Sequence, residues 1–125
     1  MARILIVDDS ASNRELLRSI LENSGHEVTE AGDGEQALTE MSATPPDLAI
    51  VDIQMPRLDG YGVLARMRSD QRLARIPVIA LTAYAMERDR QRGLAAGFRA
   101  YLTKPVTMRH LRQVLAELLP ERRED

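Results

Sequence analysis

The sequence predicts an α/β fold in which five parallel strands alternate with five helices. Five short strand-like segments recur along the chain, at residues 4–7, 26–30, 48–51, 78–81 and 100–102. A segment with helical character follows each of them, and this alternation is typical of repeated βαβ units, which build parallel sheets. Three of the segments are continuously apolar, as expected for strands that helices cover on both faces.

Length and composition narrow the possible classes further. A chain of 125 residues with 44% hydrophobic and 29% charged residues is typical of one ordinary globular domain. The net charge of −2 gives no reason to expect binding to nucleic acid or to an anionic membrane. There is no cysteine, which excludes disulfides and thiolate metal sites and fits a reducing compartment. We therefore expect a cytoplasmic protein with one domain at 1–119 and a polar C-terminal tail at 120–125.

The first helix carries signals at both of its ends. Ser12 and Glu15 have the spacing of a capping box, which predicts the start of the helix. Gly25 follows the last turn, at the position where left-handed backbone geometry is expected. The apolar stripe that we expect to face the core consists of Leu16, Leu17, Ile20 and Leu21. The segment that follows alternates around Val28, which indicates an edge strand.

The remaining helices differ in how much apolar surface they offer. The second is predicted to begin within 33–36 and to end before Pro45. The segment at 86–96 is polar and arginine-rich, so we expect it to be the least firmly anchored helix. Apolar stripes indicate the third and fifth helices, with Val63, Leu64 and Met67 in the one and Met108, Leu111, Val114, Leu115 and Leu118 in the other.

Right-handed crossovers leave few topologies for five such strands. The favoured arrangement is the flavodoxin-like (βα)5 three-layer sandwich, with a parallel sheet in the order 2-1-3-4-5. In such sheets the functional crevice lies beyond the carboxyl ends of the strands, where strands 1 and 3 diverge. The chain has reactive or coordinating side chains at these strand ends: Asp8, Asp9, Asp52, Thr82 and Lys104.

The five side chains predict a site for a metal ion and a phosphoryl group. Carboxylates in contact repel one another by about 4 kcal/mol per pair at an effective dielectric near 20. A lysine offsets part of this repulsion, and carboxylate oxygens suit Mg²⁺ for the remainder. Lysine and Mg²⁺ together neutralise a transferring phosphoryl group, to which Thr82 adds a hydroxyl donor. Asp52 is then the candidate nucleophile, because aspartyl phosphates are known covalent intermediates.

Two other functions are compatible with parts of this pattern. The first is a small aspartyl-phosphate phosphatase or phosphotransferase of the haloacid-dehalogenase type. Such enzymes carry a second aspartate two residues after the nucleophile, whereas this chain has Gln54 there. The second is a flavodoxin-like module that binds a nucleotide or flavin. No glycine-rich phosphate-binding loop follows the first strand, which argues against a dinucleotide or nucleoside triphosphate.

Four stretches of the sequence resemble the response-regulator receiver domain of the CheY-like superfamily. The similarity runs from about Arg3 to Leu119, and it looks strongest to receivers of hybrid kinases and to stand-alone DivK-type regulators. A receiver, whether free or part of a longer protein, is a phosphoacceptor switch rather than an enzyme. The stretches that carry the resemblance are ILIVDDS at 4–10, DIQMPRLDG at 52–60, ALTA at 80–83 and YLTKP at 101–105.

The resemblance implies a role for each site residue. Asp52 accepts the phosphoryl group from a phosphohistidine on a sensor histidine kinase or a histidine phosphotransfer protein. Asp9, Asp52 and the backbone carbonyl of Gln54 ligate Mg²⁺ directly, and Asp8 acts largely through a coordinated water. Lys104 pairs with the phosphoryl group, and a cis Lys104–Pro105 peptide places its ammonium in the crevice. The switch residues follow the phosphoryl group, Thr82 by swinging towards it and Tyr101 by turning inward behind it.

Two separate surfaces are expected to contact partner proteins. The phosphodonor reaches Asp52 over a rim near Ser10, Asn13 and 105–106, while Asn13 and Arg14 are otherwise expected to form a solvated helix face. The downstream protein target binds the face formed by the fourth helix, the fifth strand and the fifth helix, because the fourth helix buries least and can move. We expect a monomer or a weak homodimer.

Overall fold

The computed structural model describes residues 2–119, and the predicted tail at 120–125 lies outside the described residues. Strands and helices alternate through the whole of this range, as the sequence predicts. In chain order the elements are β1 (Arg3–Val7), α1 (Ala11–Asn23), β2 (Glu27–Ala31), α2 (Gly34–Ala43), β3 (Leu48–Asp52), α3 (Gly60–Arg68), β4 (Val78–Thr82), α4 (Glu87–Ala96), β5 (Ala100–Thr103) and α5 (Met108–Leu118).

The five strands form one parallel sheet in the order β2-β1-β3-β4-β5, which confirms the predicted topology. β1 and β3 pair at the centre, with Val7 opposite Val51, and Asp52 pairs with Leu81 of β4. The residues that end β1, β3 and β4 therefore meet at one edge of the sheet. All five residues of both β3 and β4 are buried, including Asp52 and Thr82 that follow the apolar runs.

Helices cover both faces of the sheet and create two separate cores. One core joins alternate residues of the strands, such as Leu5 and Val51, to α2 and α3. The other joins the intervening residues, such as Ile4 and Ile50, to α1 and α5. This is the three-layer arrangement expected when continuously apolar strands bury both of their faces. None of the described helices is long and apolar enough to cross a membrane.

The start of α1 differs from the sequence prediction. The cap is Ser10, whose hydroxyl accepts a hydrogen bond from the Asn13 N–H at 3.3 Å, and not the box formed by Ser12 and Glu15. The cause lies in the preceding loop, where the Asp8 carboxylate accepts a hydrogen bond from the Ser10 N–H at 2.9 Å. This contact accompanies an extended backbone at Ser10, from which the helix begins at once.

The apolar stripe of α1 is also narrower than predicted. Leu17, Ile20 and Leu21 are buried, whereas Leu16 is 52% exposed to solvent. Three residues at i, i+3 and i+4 complete the helix face that contacts the sheet, and Leu16 lies beside that face. At the other end of the helix the prediction is confirmed, because Gly25 has a φ of 89° in the left-handed region.

The other helix signals agree with the structure. The Asp33 side chain caps α2 by accepting a hydrogen bond from the Gln36 N–H at 2.8 Å. α4 is the polar helix at the predicted place, and Gly93 is its one buried residue. By contrast, α5 buries Leu111, Val114 and Leu115. α4 is therefore held by much less apolar contact than the helices around it.

Candidate functional site

Three carboxylates meet at the carboxyl edge of the sheet. Asp8 and Asp9 directly follow β1, and Asp52 is the last residue of β3. One carboxylate oxygen from each of the three lies within 4.8 Å of the other two. Asp8 is 1% exposed and Asp52 is 3% exposed, whereas Asp9 is open to solvent. The structure thus places two buried acids at the floor of the site and a third at its mouth.

A lysine that directly follows β5 reaches this cluster from beyond β4. The Lys104 Nζ lies 3.1 Å from Asp52 Oδ2 and 3.4 Å from Asp8 Oδ2. Its backbone is fixed as well, because the Lys104 N–H donates a hydrogen bond to the Thr82 carbonyl at 2.8 Å. The following bond to Pro105 is a cis peptide, as the family resemblance implies. The ammonium therefore bridges the two buried carboxylates.

Burial and the contact between Asp52 and Lys104 shift the pKa values of these two groups in opposite directions. Burial raises the pKa of Asp52, and the nearby Asp8 carboxylate adds to this effect. A hydrogen bond from the Gln54 N–H, at 3.0 Å from Oδ1, and the Lys104 ammonium oppose the rise without cancelling it. Burial works against the charge of Lys104, but its hydrogen bond to Asp52 and the two aspartate charges raise the pKa of the lysine overall.

The donor set fits a hard divalent cation. Among the described residues, the buried Asp8 Oδ2 makes no hydrogen bond, and its nearest cation is the Lys104 ammonium at 3.4 Å, so its charge is compensated only in part. Three carboxylates against one ammonium also leave an excess of negative charge. Carboxylate oxygens at one open edge are ligands that Mg²⁺ prefers, since it binds through one or two carboxylates and keeps several waters.

The two predicted switch residues both contact the backbone of Tyr84. The buried Thr82 hydroxyl accepts a hydrogen bond from the Tyr84 N–H at 3.2 Å and donates one to Gln54 Oε1 at 3.4 Å. The Tyr101 hydroxyl donates to the Tyr84 carbonyl at 3.1 Å. The loop after β4 therefore connects Thr82 to Tyr101. Nothing in the sequence signals this link, because it runs through backbone atoms of Tyr84.

Arg14 is a residue near the site that the sequence interpretation undervalued. It was expected on a solvated helix face, but its side chain is only 21% exposed. Its guanidinium donates from Nη1 to the Asp8 carbonyl at 2.7 Å and from Nε to Glu30 Oε1 at 2.9 Å. The partner that reveals this role, Glu30, is 16 residues away in the sequence, so helical periodicity alone gives no signal for it.

Two grooves flank the acidic cluster on opposite faces of the sheet. One, of about 280 Å³, is mainly apolar and adjoins Lys104. The other, of about 470 Å³, contains three tyrosines and lies beside α4. The first is lined by Asn13, Leu16, Leu17, Leu81, Lys104, Pro105 and Val106. The second is lined by Ile53, Gln54, Met55, Asp59, Tyr61, Tyr84, Asp89, Arg92 and Tyr101.

Comparison with known proteins assigns the family. Residues 4–116 match the family model described as the response regulator receiver domain. The chain belongs to this family. Receiver domains are parts of two-component response regulators and are generally phosphoacceptor switches. They bind Mg²⁺ at an acidic pocket of the kind formed here by Asp8, Asp9 and Asp52, and they interact with histidine kinases or phosphotransfer proteins and with downstream targets.

Individual relatives agree with both subclasses suggested by the sequence. The polar-differentiation response regulator DivK of Brucella ovis is 38% identical over 105 residues, which are 84% of this chain and 85% of that protein. The gliding motility regulatory protein of Myxococcus xanthus is 44% identical over 102 residues, 82% of this chain but only 13% of that protein. The receiver domain of a sensor histidine kinase from Pseudomonas aeruginosa superimposes with a TM-score of 0.86 at 34% identity, covering 94% of this chain and 96% of that one. That structure has a magnesium ion coordinated in its active site cleft.

Proposed function

We propose that Asp52 is the phosphoacceptor of this receiver domain. The observation that carries the proposal is the contact between the buried Asp52 carboxylate and the Lys104 ammonium, at 3.1 Å, within the cluster of three acids. A buried carboxylate at a strand end, beside a cation and at an open rim, is positioned to act as a nucleophile. Asp8 is also buried but lies further from the ammonium, at 3.4 Å, and Asp9 is exposed.

The transfer itself exchanges one bond for another. A carboxylate oxygen of Asp52 forms a bond to phosphorus while the phosphorus–nitrogen bond of the donor's phosphohistidine breaks. The electron pair of that bond stays on the imidazole nitrogen, which takes a proton from water. Lys104, already paired with Asp52, lies where it can neutralise a phosphoryl oxygen. The chain therefore supplies the nucleophile and one of the positive charges that the transferring group needs.

The acidic cluster supports a magnesium site beside the nucleophile. We assign the direct ligands to Asp9, Asp52 and the backbone carbonyl of Gln54, with Asp8 acting through a coordinated water. A bound Mg²⁺ would neutralise charge on the transferring phosphoryl oxygens. The buried Asp8 Oδ2, which has the Lys104 ammonium 3.4 Å away but no hydrogen-bond partner within residues 2–119, supports this assignment because a water on the cation would satisfy it.

The signal begins when charge on Asp52 increases. Phosphorylation replaces one negative charge by about two and adds three acceptor oxygens. Thr82 is a suitable donor to them, but its hydroxyl contacts Tyr84 and Gln54 in the present state. Moving it breaks its hydrogen bond to the Tyr84 N–H and so frees the residue whose carbonyl holds the Tyr101 hydroxyl. We therefore assign Thr82 and Tyr101 as the switch and the poorly anchored α4, with β5 and α5, as the face that binds the downstream protein target.

The apolar groove beside Lys104 is suited to the phosphodonor. It opens next to the site, and Leu16, Pro105 and Val106 give it apolar side chains that a helix of a kinase or phosphotransfer protein can cover. Leu16 is 52% exposed on the surface of α1 and lines this groove together with Pro105 and Val106, so its apolar side chain is available to a partner. The donor's phosphohistidine would reach Asp52 from this side.

The remaining assignments rest on the whole chain. We assign residues 1–119 to one receiver domain. It acts as a phosphoacceptor switch rather than an enzyme, and as a monomer or weak homodimer. Its lack of cysteine fits the reducing cytoplasm, where histidine kinases present their phosphoryl groups. Direct contact with nucleic acid or membrane is not expected at a net charge of −2.

A small phosphodonor tests the proposal without requiring the partner. The protein is incubated with acetyl phosphate and Mg²⁺, and peptide mass spectrometry locates the added phosphoryl group. Label on Asp52, absent in Asp52→Asn and retained in Asp59→Asn, supports the proposal. Asp59 is a matched control because it lies near the site but only caps α3, where asparagine caps equally well. Label elsewhere, or no label, would overturn it.

A further inference from the structure

We propose that Arg14 is a positioning residue that sets the affinity of the acidic cluster for a divalent cation. This inference rests on the magnesium site assigned under the proposed function. Arg14 carries no carboxylate or hydroxyl and does not touch Asp52 in the structure. Its influence runs through the backbone of Asp8, the residue that opens the loop between β1 and α1.

The Asp8 backbone is held from two sides. Its N–H donates to the Ala31 carbonyl at the end of β2, at 3.1 Å. Its carbonyl accepts from Arg14 Nη1 at 2.7 Å, a short hydrogen bond from a charged donor. The Asp8 side chain is fixed in turn, because Oδ1 accepts from the Ser10 N–H. Arg14 is the one side chain within residues 2–119 that donates a hydrogen bond to this backbone carbonyl.

The guanidinium of Arg14 is itself anchored. Its Nε donates to Glu30 Oε1 at 2.9 Å, and the second oxygen of Glu30 accepts from Arg18 Nε at 2.6 Å. The hydrogen bond from Arg18, followed by the one from Arg14, lowers the pKa of Glu30 and keeps it charged. Because the planar guanidinium directs two donors at once, it links β2 rigidly to the Asp8 loop.

If Arg14 positions the loop, its loss should lower metal affinity; if it acts only as a nearby charge, its loss should raise metal affinity. A cation close to a metal site repels the metal, so removing only the charge of Arg14 would tighten metal binding. Loss of the two Arg14 hydrogen bonds releases the loop that presents Asp8 and Asp9, so metal affinity would fall. Loss of residues that orient metal ligands typically lowers affinity by about 10–100-fold. The sign of the change therefore separates the two roles.

Calorimetric titration of Mg²⁺ into the unphosphorylated full chain provides the test. We expect Arg14→Ala to weaken Mg²⁺ binding roughly tenfold, at the lower end of the range for such residues. Arg14→Lys keeps the charge but loses the two-pronged geometry, so it should also weaken binding. Arg18→Ala is the matched control: it removes a hydrogen bond to the same Glu30, but Arg18 makes no contact with Asp8.

Each result decides a different point. Unchanged or tighter Mg²⁺ binding by Arg14→Ala overturns the positioning role, as does an equal loss in Arg18→Ala. Wild-type Mg²⁺ affinity in Arg14→Lys would show that the two-donor geometry of the guanidinium is not required, and this also overturns it. If the wild-type chain binds no Mg²⁺, the magnesium site of the proposed function fails instead. Circular dichroism of every variant before titration separates loss of binding from loss of folding.

Discussion

The ring of Tyr101 lies against Gly93 of α4 so closely that a methyl group at position 93 would come within 2.7 Å of its Cδ1. Glycine in a helix interior costs about 1 kcal/mol relative to alanine, so its presence here has a steric cause. The missing side chain makes room for the ring, whose hydroxyl then reaches the Tyr84 carbonyl. The present placement of Tyr101 thus depends on one absent methyl group.

Gly93→Ala should therefore destabilise the protein, and the sign should reverse once the ring is gone. Overpacking typically costs about 1–3 kcal/mol, which outweighs the helix-propensity gain of about 1 kcal/mol. With Tyr101→Ala as background, Gly93→Ala should stabilise by up to about 1 kcal/mol. Urea unfolding of wild type, the two single variants and the double variant measures both differences in unfolding free energy. The same sign in both backgrounds would contradict the steric explanation.

Asp52→Asn should raise the melting temperature measured without metal. Burial raises the pKa of Asp52, so the unfolded chain ionises this group more readily than the folded one. At neutral pH the ionised carboxylate therefore costs folding free energy, which the neutral amide removes. Each 1 kcal/mol of added stability raises the melting temperature of a domain of this size by roughly 4 °C. Scanning calorimetry with EDTA provides the measurement.

Addition of Mg²⁺ should reverse the ranking of these two proteins. A ligand that binds only the folded state raises the free energy of unfolding by RT ln(1 + [L]/Kd). Wild type and the Asp59→Asn control should melt at a higher temperature in Mg²⁺, while Asp52→Asn should respond little. An equal rise in all three would mean that the ion binds elsewhere, outside the cluster of Asp8, Asp9 and Asp52.

Thr82→Ala should leave phosphorylation of Asp52 largely intact but disconnect Tyr101 from it. The Thr82 hydroxyl holds the Tyr84 N–H, and Tyr101 holds the Tyr84 carbonyl. NMR of the tyrosine rings, with beryllofluoride as the phosphoryl mimic, should show Tyr101 responding in wild type and in Thr82→Ser. The response should be lost in Thr82→Ala. A Tyr101 response that survives the loss of the hydroxyl would exclude this route.

Stability should fall on mild acidification because of His26. Its Nδ1 accepts a hydrogen bond from the Ala2 N–H at 3.2 Å, and burial lowers the pKa of the imidazole below 6.5. The unfolded chain therefore takes up the proton first as the pH falls. The stability contribution is complete above about pH 6.5 and is lost as the pH drops from there through the folded-state pKa. Urea unfolding from pH 5 to 8 should give a flatter profile for His26→Gln.

Leu16→Ser should have little effect on folding but a strong effect on transfer from a protein donor. An exposed site usually changes stability by less than about 0.5 kcal/mol, whereas truncating a buried leucine costs about 2–5 kcal/mol. Leu17→Ala, one residue further, is the buried comparison. Acetyl phosphate should label wild type and Leu16→Ser at equal rates, while a cognate phosphohistidine protein should label the variant more slowly. Equal rates with the protein donor would remove Leu16 from the docking surface.

Sequence alone was sufficient for the strand order and the position of the acidic cluster. Both follow from local signals: continuous apolar runs fix buried strands, and parallel strands bring Asp8, Asp52 and Thr82 to the same edge. The Asp33 cap and the left-handed Gly25 were also predictable, since each is determined by a few neighbouring residues. Such features need no knowledge of distant contacts.

Most of the features that sequence missed depend on contacts between separate elements, whereas the cap of α1 depends on a local turn. The true cap of α1 is Ser10 because the Asp8 carboxylate orients its N–H, and this competes with the equally plausible box at Ser12. The exposure of Leu16 depends on how α1 rotates against the sheet. Arg14 acquires its role only when β2 brings Glu30 beside α1. Periodicity and spacing carry no information about such partners.

The division of the interior into two cores has a consequence for how receivers of this kind diversify. The groove beside α1 is built on the core that includes Leu17 and Leu81, and the groove beside α4 on the core that includes Ile53 and Met55. The sheet separates these side chains, so substitutions in one half are energetically independent of those in the other. Recognition of the phosphate source can then drift without repacking the side chains around α4, whereas the α5 part of the output face shares its core with the groove beside α1.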